Sequence, residues 1–387
     1  MTRQVVLTHR TDHPALCAPP ESHETTARDD KPNCWTTPEG PLSDNLTEQL
    51  SQIDLVPSVA MAPAAPRRSV PKDRFSSLFS TLKTQTYHDP SSRGPGSHSI
   101  RTIAWNPTGH LIATGSADRT LRIWNPDKAS IKNSTELRGH TGGIERVAWN
   151  PTKEAELASC STDGTVRFWD VRSKGCVGEV KAGGEGFTLA WNPDGSNVIV
   201  GRKDDALLPI TLSLDQPPTA SAPLPQPVQT NQTTYSHSGR ELLLTTGSGS
   251  VKILDYPSLS TLYTIPAHTS SCFCLELCPR GKFLAVGGSD ALVSLWDTTD
   301  WVCRHALAGM TGPVRSVGFS YDGSFVCGGS DEGTGVEIAH VETGEYIHTI
   351  PTTHPAPCIA WHPQRYWIAY SGDPMGLKIV GAAGGSL

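Results

Sequence analysis

One short pattern recurs seven times between about Thr84 and Leu387. It reads T-I-A-W-N-P-T-G at Thr102–Gly109 and returns as RVAWNPTK (146–153), TLAWNPDG (188–195), TTYSHSG (233–239), CLELCPRG (274–281), SVGFSYDG (316–323) and CIAWHPQR (358–365). Its anchors are Trp105, Trp149, Trp191, Tyr235, Leu277, Phe319 and Trp361, spaced by 44, 42, 44, 42, 42 and 42 residues. Each copy has the same grammar. An alternating strand carries the anchor, a turn follows that usually ends in Gly, and an apolar strand such as ELASCS or FLAVGGS comes next. A tight polar turn (SADRT, STDGT) then leads to a third strand ending in Trp or a stand-in. These are period-2 segments bounded by turn residues. A period of roughly 40 to 45 residues marks a four-stranded propeller blade. The expectation is an all-β, seven-bladed propeller over residues 75–387.

Composition agrees. Gly 36 and Pro 31 make up about 17% of 387 residues, which disfavours long helices. No helical pattern of 10 to 15 residues separates the strands, so a parallel α/β sheet is not expected. No stretch approaches 18 uninterrupted apolar residues, so no membrane span is expected. Nor does MTRQVVLTHRTDHPALC hold the continuous apolar core of a secretory signal. Residues 1–74 read as a disordered tail. Trp35 is their only Phe, Tyr or Trp, and Pro, Ser, Thr and mixed charge dominate. Within them Leu46, Leu50 and Ile53 fall at helical spacing, either a transient helix or one that folds onto a partner.

No arrangement for catalysis stands out. The sequence holds no P-loop, G-x-S-x-G, H-E-x-x-H, kinase set or EF-hand loop. Asp118, Asp163 and Asp290 recur at equivalent turns, so turn capping explains them. Cys272, Cys274 and Cys278 follow C-x-C-x3-C, which matches no common zinc pattern, and are expected to be small buried hydrophobes. Neither a metal nor a cofactor is expected. Net charge is −6, and residues 1–82 carry eight Lys plus Arg against ten Asp plus Glu, so there is no basic arm. Arg101, Arg138, Arg146, Arg202 and Lys203 are the candidates for a local basic patch, set against scattered solvated charge.

The grammar resembles the WD40 family over all seven repeats, about residues 84–387. The second repeat is the fullest match, with RGH (Arg138–His140), ELASCSTDGT and FWD (Phe168–Asp170). The resemblance implies a hydrogen-bonded tetrad of His140, Ser159, Asp163 and Trp169. Elsewhere the tetrad decays. The fifth repeat has His268, Asp290 and Trp296 but Val286 at the hydroxyl position, while Leu208 and Ala339 replace Trp in the third and sixth. Those blades are expected to lean on apolar packing. The resemblance also implies that a first strand at about 84–88 completes the last blade.

Longer stretches are more specific. VGRKDDALLPI, the DYPSL turn and SDALVSLWD make the chain similar to the family of WD40 subunits of the THO complex, the core of the transcription-export machinery. That resemblance implies a non-catalytic nuclear scaffold. It would join the other THO subunits, couple transcription to mRNP assembly and mRNA export, and act indirectly with an RNA helicase and export adaptors. RNA contact would be mostly indirect, and no membrane is implied. The partner-binding candidates are Arg202, Lys203, Asp204 and Asp205 in the third repeat, and Trp301, whose position has no repeat role. The residues leave open an adaptor in another assembly that grips a peptide at the channel mouth, and a directly RNA-binding propeller.

Overall fold

The computed structural model describes residues 71–87, 99–127, 134–213, 216–373 and 376–381. The tail up to residue 70, with Leu46, Leu50 and Ile53, lies outside them. The described residues form seven antiparallel sheets, six of four strands and one of five. Each sheet is one blade, and in blades 1 to 6 strands a to d run in sequence order from a central channel outward. In blade 2 these are Ile144–Trp149, Glu156–Ser161, Thr165–Asp170 and Gly175–Lys181.

Strand b buries nearly all its side chains, strand a is partly open toward the channel, and strand d is largely exposed, as GCVGEVK illustrates. The apolar core is accordingly divided into seven clusters, one between each pair of neighbouring blades. The anchors stitch these interfaces. The Trp149 indole donates to the Ala104 carbonyl (2.9 Å), Trp191 to Ala148 (3.0 Å) and Trp105 to Ala360 (3.1 Å), each reaching the preceding blade. An indole buried with its N–H satisfied combines apolar contact with direction.

Blade 7 is completed from the other end of the chain. The first strand, β1 (Thr84–Tyr87), pairs antiparallel with Gly376–Val380, so the ring's two ends share one sheet and the outer edge of Gly376–Val380 is paired. The a–b turns of blades 7 and 1 meet in a second fastening. His362 Nε2–H donates to the Gly109 carbonyl (3.0 Å), and its Nδ1 accepts from the Gln364 N–H (2.9 Å). Gly109 has φ +77°, and a Cβ there would lie 2.2 Å from the His362 ring, so both the turn and the contact require glycine.

Two features differ from the sequence reading. First, a helix, α1 (Lys72–Thr81), straddles the expected tail boundary at residue 74. Ten residues without a side-chain N-cap make a marginal helix alone. Docking holds it: Phe75 and Phe79 are buried between blades 6 and 7, with Phe75 stacked on Phe325 at 3.6 Å between ring centroids. Second, Leu208 does not occupy the tryptophan position of blade 3. Val198 pairs with Ile210 as Leu157 pairs with Trp169, so the stand-in is Ile210. The two consecutive acids of KDD hide which of them makes the turn. Asp205, at φ +61°, takes the left-handed place that Gly164 fills in blade 2.

Candidate partner-binding surfaces

The tetrad residues of blade 2 meet in one chain of hydrogen bonds. His140 lies 2.9 Å from Asp163 Oδ2 through Nδ1 and 2.8 Å from Ser159 Oγ through Nε2, and the Trp169 indole donates to the same Oγ at 2.8 Å. Only one proton arrangement satisfies every atom. Nδ1–H donates to the carboxylate, and the Ser159 hydroxyl donates to Nε2 while accepting from the indole. Burial lowers the His140 pKa against the pull of Asp163, which keeps the ring neutral as this arrangement needs. Asp163 stays ionised well below the usual carboxylate range despite its own burial, held by Thr165, Thr141 and His140. A serine, histidine and aspartate in this order resemble a nucleophile relay. Here Ser159 is fully buried and capped by an indole, so the geometry serves blade cohesion.

Blade 5 rebuilds the tetrad by a different route. Val286 supplies no hydroxyl, but Ser294, on strand c two residues before Trp296, does. Ser294 Oγ lies 2.9 Å from His268 Nε2 and accepts from the Trp296 indole at 2.8 Å, while His268 Nδ1 holds Asp290 at 2.9 Å. This blade therefore does not rely on apolar packing alone, a correction to the sequence reading. The repeat pattern looked for the hydroxyl on strand b only.

All seven inner strands line a central cavity of about 960 Å³. In blades 1 to 6 strand a carries a bulge four residues before the anchor, at Arg101, Glu145, Phe187, Asn231, Phe273 and Arg315. A bulge re-aims its side chain, and Arg101, Glu145 and Arg315 line the cavity where strand a begins. Arg101 pairs with Glu145; Arg315 pairs with Asp331 at 2.7 Å and sits 4.3 Å over the Phe273 ring. Phe187 is 37% exposed, high for a phenylalanine in a strand. Sequence reasoning passed over this ring, although a fixed offset from the anchors would have found it. Deeper in, Glu276 lines the channel, and burial by the surrounding protein pushes its carboxyl up, to about 7, against the pull of Arg146.

The third-repeat candidates occupy the b–c turn of blade 3, on the face where strand a begins. Arg202 is largely covered, donates to the Ala182 carbonyl (3.1 Å) and is tied to Asp204. Lys203 pairs with Glu185. Asp205 accepts the Thr230 N–H (3.2 Å) and belongs to the turn itself. Lys203 and Asp204 expose about half their side chains, at 48% and 53%. Trp301 stands in the c–d turn of blade 5, on the opposite face, at φ +54°. It stacks on Tyr263 of blade 4 (6.5 Å, 23°) and packs against the core between those blades. The two sets of candidates are therefore separate sites. The five cations of the expected basic patch are not brought together as free charge. Arg101, Arg138, Arg202 and Lys203 each hold a carboxylate, and Arg146 lies in the channel beside Glu276. Cys272, Cys274 and Cys278 are buried, and burial raises all three thiols, the first two to about 12.

Residues 96–371 match the model of the THOC3 beta-propeller domain. The chain belongs to this family. It is 35% identical over 302 residues to THO complex subunit 3 of Arabidopsis thaliana, covering 78% of this chain and 93% of that one. It is 33% identical over 296 residues to WD repeat-containing protein AAC3 of Dictyostelium discoideum, covering 70% of this chain and 61% of that protein. Among solved structures, the β-propeller domain of Cps50 (Swd1) from Myceliophteria thermophila superposes with a TM-score of 0.67 at 19% identity, over 78% of this chain and 100% of that domain. That last likeness concerns the fold alone. The family match extends from just before the bulged ring position of blade 1 into the last blade, so the channel mouth and the KDD turn both fall inside it.

Proposed function

We propose that this chain is a non-catalytic scaffold subunit of the nuclear THO complex, coupling transcription to mRNP assembly and mRNA export. The observation that carries the reading is identity with THO complex subunit 3 across 93% of that protein's length. The physical features favour it. A ring with a cored interface between every pair of blades is a rigid platform. The serine–histidine–aspartate arrays described in blades 2 and 5 both have their serine buried inside the blade.

The face with the channel mouth and the KDD turn is the reading's first candidate for contact with other THO subunits. Exposed Phe187 beside paired charges has the make-up of an interface anchor with a polar rim. RNA contact is mostly indirect in this reading, because Arg101, Arg202, Lys203 and Arg315 are neutralised by acids and form no phosphate track. The helicase and export adaptors are reached through other subunits.

The test is replacement of the endogenous protein in its own cells by Phe187→Asp with Asp204→Lys. Accumulation of polyadenylated RNA in the nucleus, with normal protein level, supports the reading. Normal RNA distribution when the protein is removed altogether refutes it.

A further inference from the structure

Three of the four tryptophan anchors donate their indole N–H to the carbonyl just before the anchor of the preceding blade. Trp105 reaches Ala360, Trp149 reaches Ala104 and Trp191 reaches Ala148. The repeat assigns the fourth, Trp361 of blade 7, the same role toward Gly318 on strand a of blade 6 (Val314–Phe319). Trp361 does not perform it. Its ring is 8% exposed, and its Nε1 is buried with no hydrogen-bond partner among the described residues. The Cys327 thiol beside it is a weak acceptor and does not complete the bond. A buried donor left unpaired is costly, so the surroundings must hold the ring off its carbonyl.

Two features of the groove between blades 6 and 7 do so. The first is α1. Phe79 meets the Trp361 ring in an edge contact, 6.1 Å between centroids, while Phe75 fills the groove beside it against Phe325 and Tyr366. No helix stands against Trp105, Trp149 or Trp191, since α1 is the only helix among the described residues. The second feature is Gly318. The other three carbonyls belong to alanines. At Gly318 an added Cβ would lie 3.1 Å from Trp361 Cδ1, so the ring occupies room that an alanine would contest.

The helix that holds Trp361 in this place is itself held weakly. Its ten residues have no side-chain N-cap. Ordering them opposes the burial of two phenyl rings and one partly exposed ion pair, Lys72 with Glu345. Trp361 and Gly318 also line the central cavity. Trp361 thus touches α1 on one side and the channel on the other.

We propose that α1 and Trp361 form a two-state latch that links the groove between blades 6 and 7 to the channel wall. With α1 docked, Trp361 lies against Gly318 and its N–H is unpaired. With α1 released, the indole turns to the Gly318 carbonyl and stitches blade 7 to blade 6 as the other anchors stitch their blades. The unpaired N–H raises the docked state toward the released one, which brings the exchange within reach of a binding event. The coupling is reciprocal, so a contact that moves Trp361 from the channel side also shifts α1.

The test reads the latch from both ends in the full chain. With isotope-labelled tryptophan, the Trp361 indole resonance is assigned by its loss in Trp361→Phe. In Phe75→Ala with Phe79→Ala, the temperature coefficient of the Trp361 indole proton is expected to fall to that of the hydrogen-bonded Trp105, Trp149 and Trp191 indoles. From the other end, Gly318→Ala places a methyl where the ring now lies. It is expected to lower the hydrogen-exchange protection of residues 72–81 about tenfold, a typical coupling between linked sites, while the blade strands keep theirs. A Trp361 indole proton unchanged by the release of α1 overturns the proposal. So does unchanged protection of residues 72–81 in Gly318→Ala. Protection lost across all the blades in that variant overturns it equally, because the methyl would then act on the ring and not through the latch.

Discussion

Ser294→Ala removes one oxygen that serves two buried partners. The His268 side chain is 1% exposed and Trp296 is 8% exposed, so water does not replace the lost hydroxyl. The substitution leaves the Trp296 N–H without an acceptor and His268 Nε2 without a donor. Each unsatisfied buried group costs about 1–3 kcal/mol. The Val286 carbonyl, 3.2 Å from Nε2, offers the ring an alternative proton arrangement and trims the histidine share. The expected loss is about 2–4 kcal/mol, or a fall of roughly 3–6 °C in melting temperature for a ring of about 300 residues. Thermal unfolding followed by circular dichroism measures it. The same assay provides a rescue. Val286→Ser places a hydroxyl on strand b, where Ser159 carries it in blade 2, so Val286→Ser with Ser294→Ala recovers most of the loss. A Ser294→Ala protein that melts within about 1 °C of the parent, or a double variant no better than the single one, refutes the rebuilt tetrad.

Three further outcomes follow from the ring's closures. Phe75→Ala with Phe79→Ala frees α1, so amides of residues 72–81 lose hydrogen-exchange protection while those of the blade strands keep theirs; loss of protection throughout would contradict the docked-helix account. Removing residues 84–90 takes away the strand paired with Gly376–Val380 and lowers the melting temperature by several degrees; an unchanged melt contradicts closure by β1. His362 is held neutral by burial and by Arg365, its pKa depressed to about 4 from 6.5. A depressed histidine contributes stability that is complete above about pH 6.5 and is lost as pH falls toward 4, up to about 3 kcal/mol. His362→Gln therefore flattens the decline in denaturant stability between pH 7 and 4.5, and an unaltered slope counts against this role.

The ring itself was legible because its signal is redundant. Seven anchors at near-constant spacing specify the blades even where single residues diverge, and Leu277 holds the anchor position as well as Trp105 does. What the sequence hid was three-dimensional. Ser294 reaches His268 because strand c passes it, a relation no fixed offset on strand b reveals. The aromatic pair Phe75 and Phe79 sits in too short a helix to show periodicity, and its partner Phe325 lies far along the chain. Trp301 looked like a free anchor because its repeat position is otherwise a turn residue, whereas Tyr263 of the next blade over gives it a packing partner. The KDD turn was singled out through the family resemblance, but Asp205 is spent on backbone geometry and Arg202 on its neighbours.

The most direct measurement is quantitative mass spectrometry of complexes purified through the tagged full-length chain from nuclear extract. The account predicts the other THO subunits in near-stoichiometric amounts, retained in high salt and after nuclease treatment. A chain recovered alone, or in constant ratio with an unrelated assembly, would contradict it.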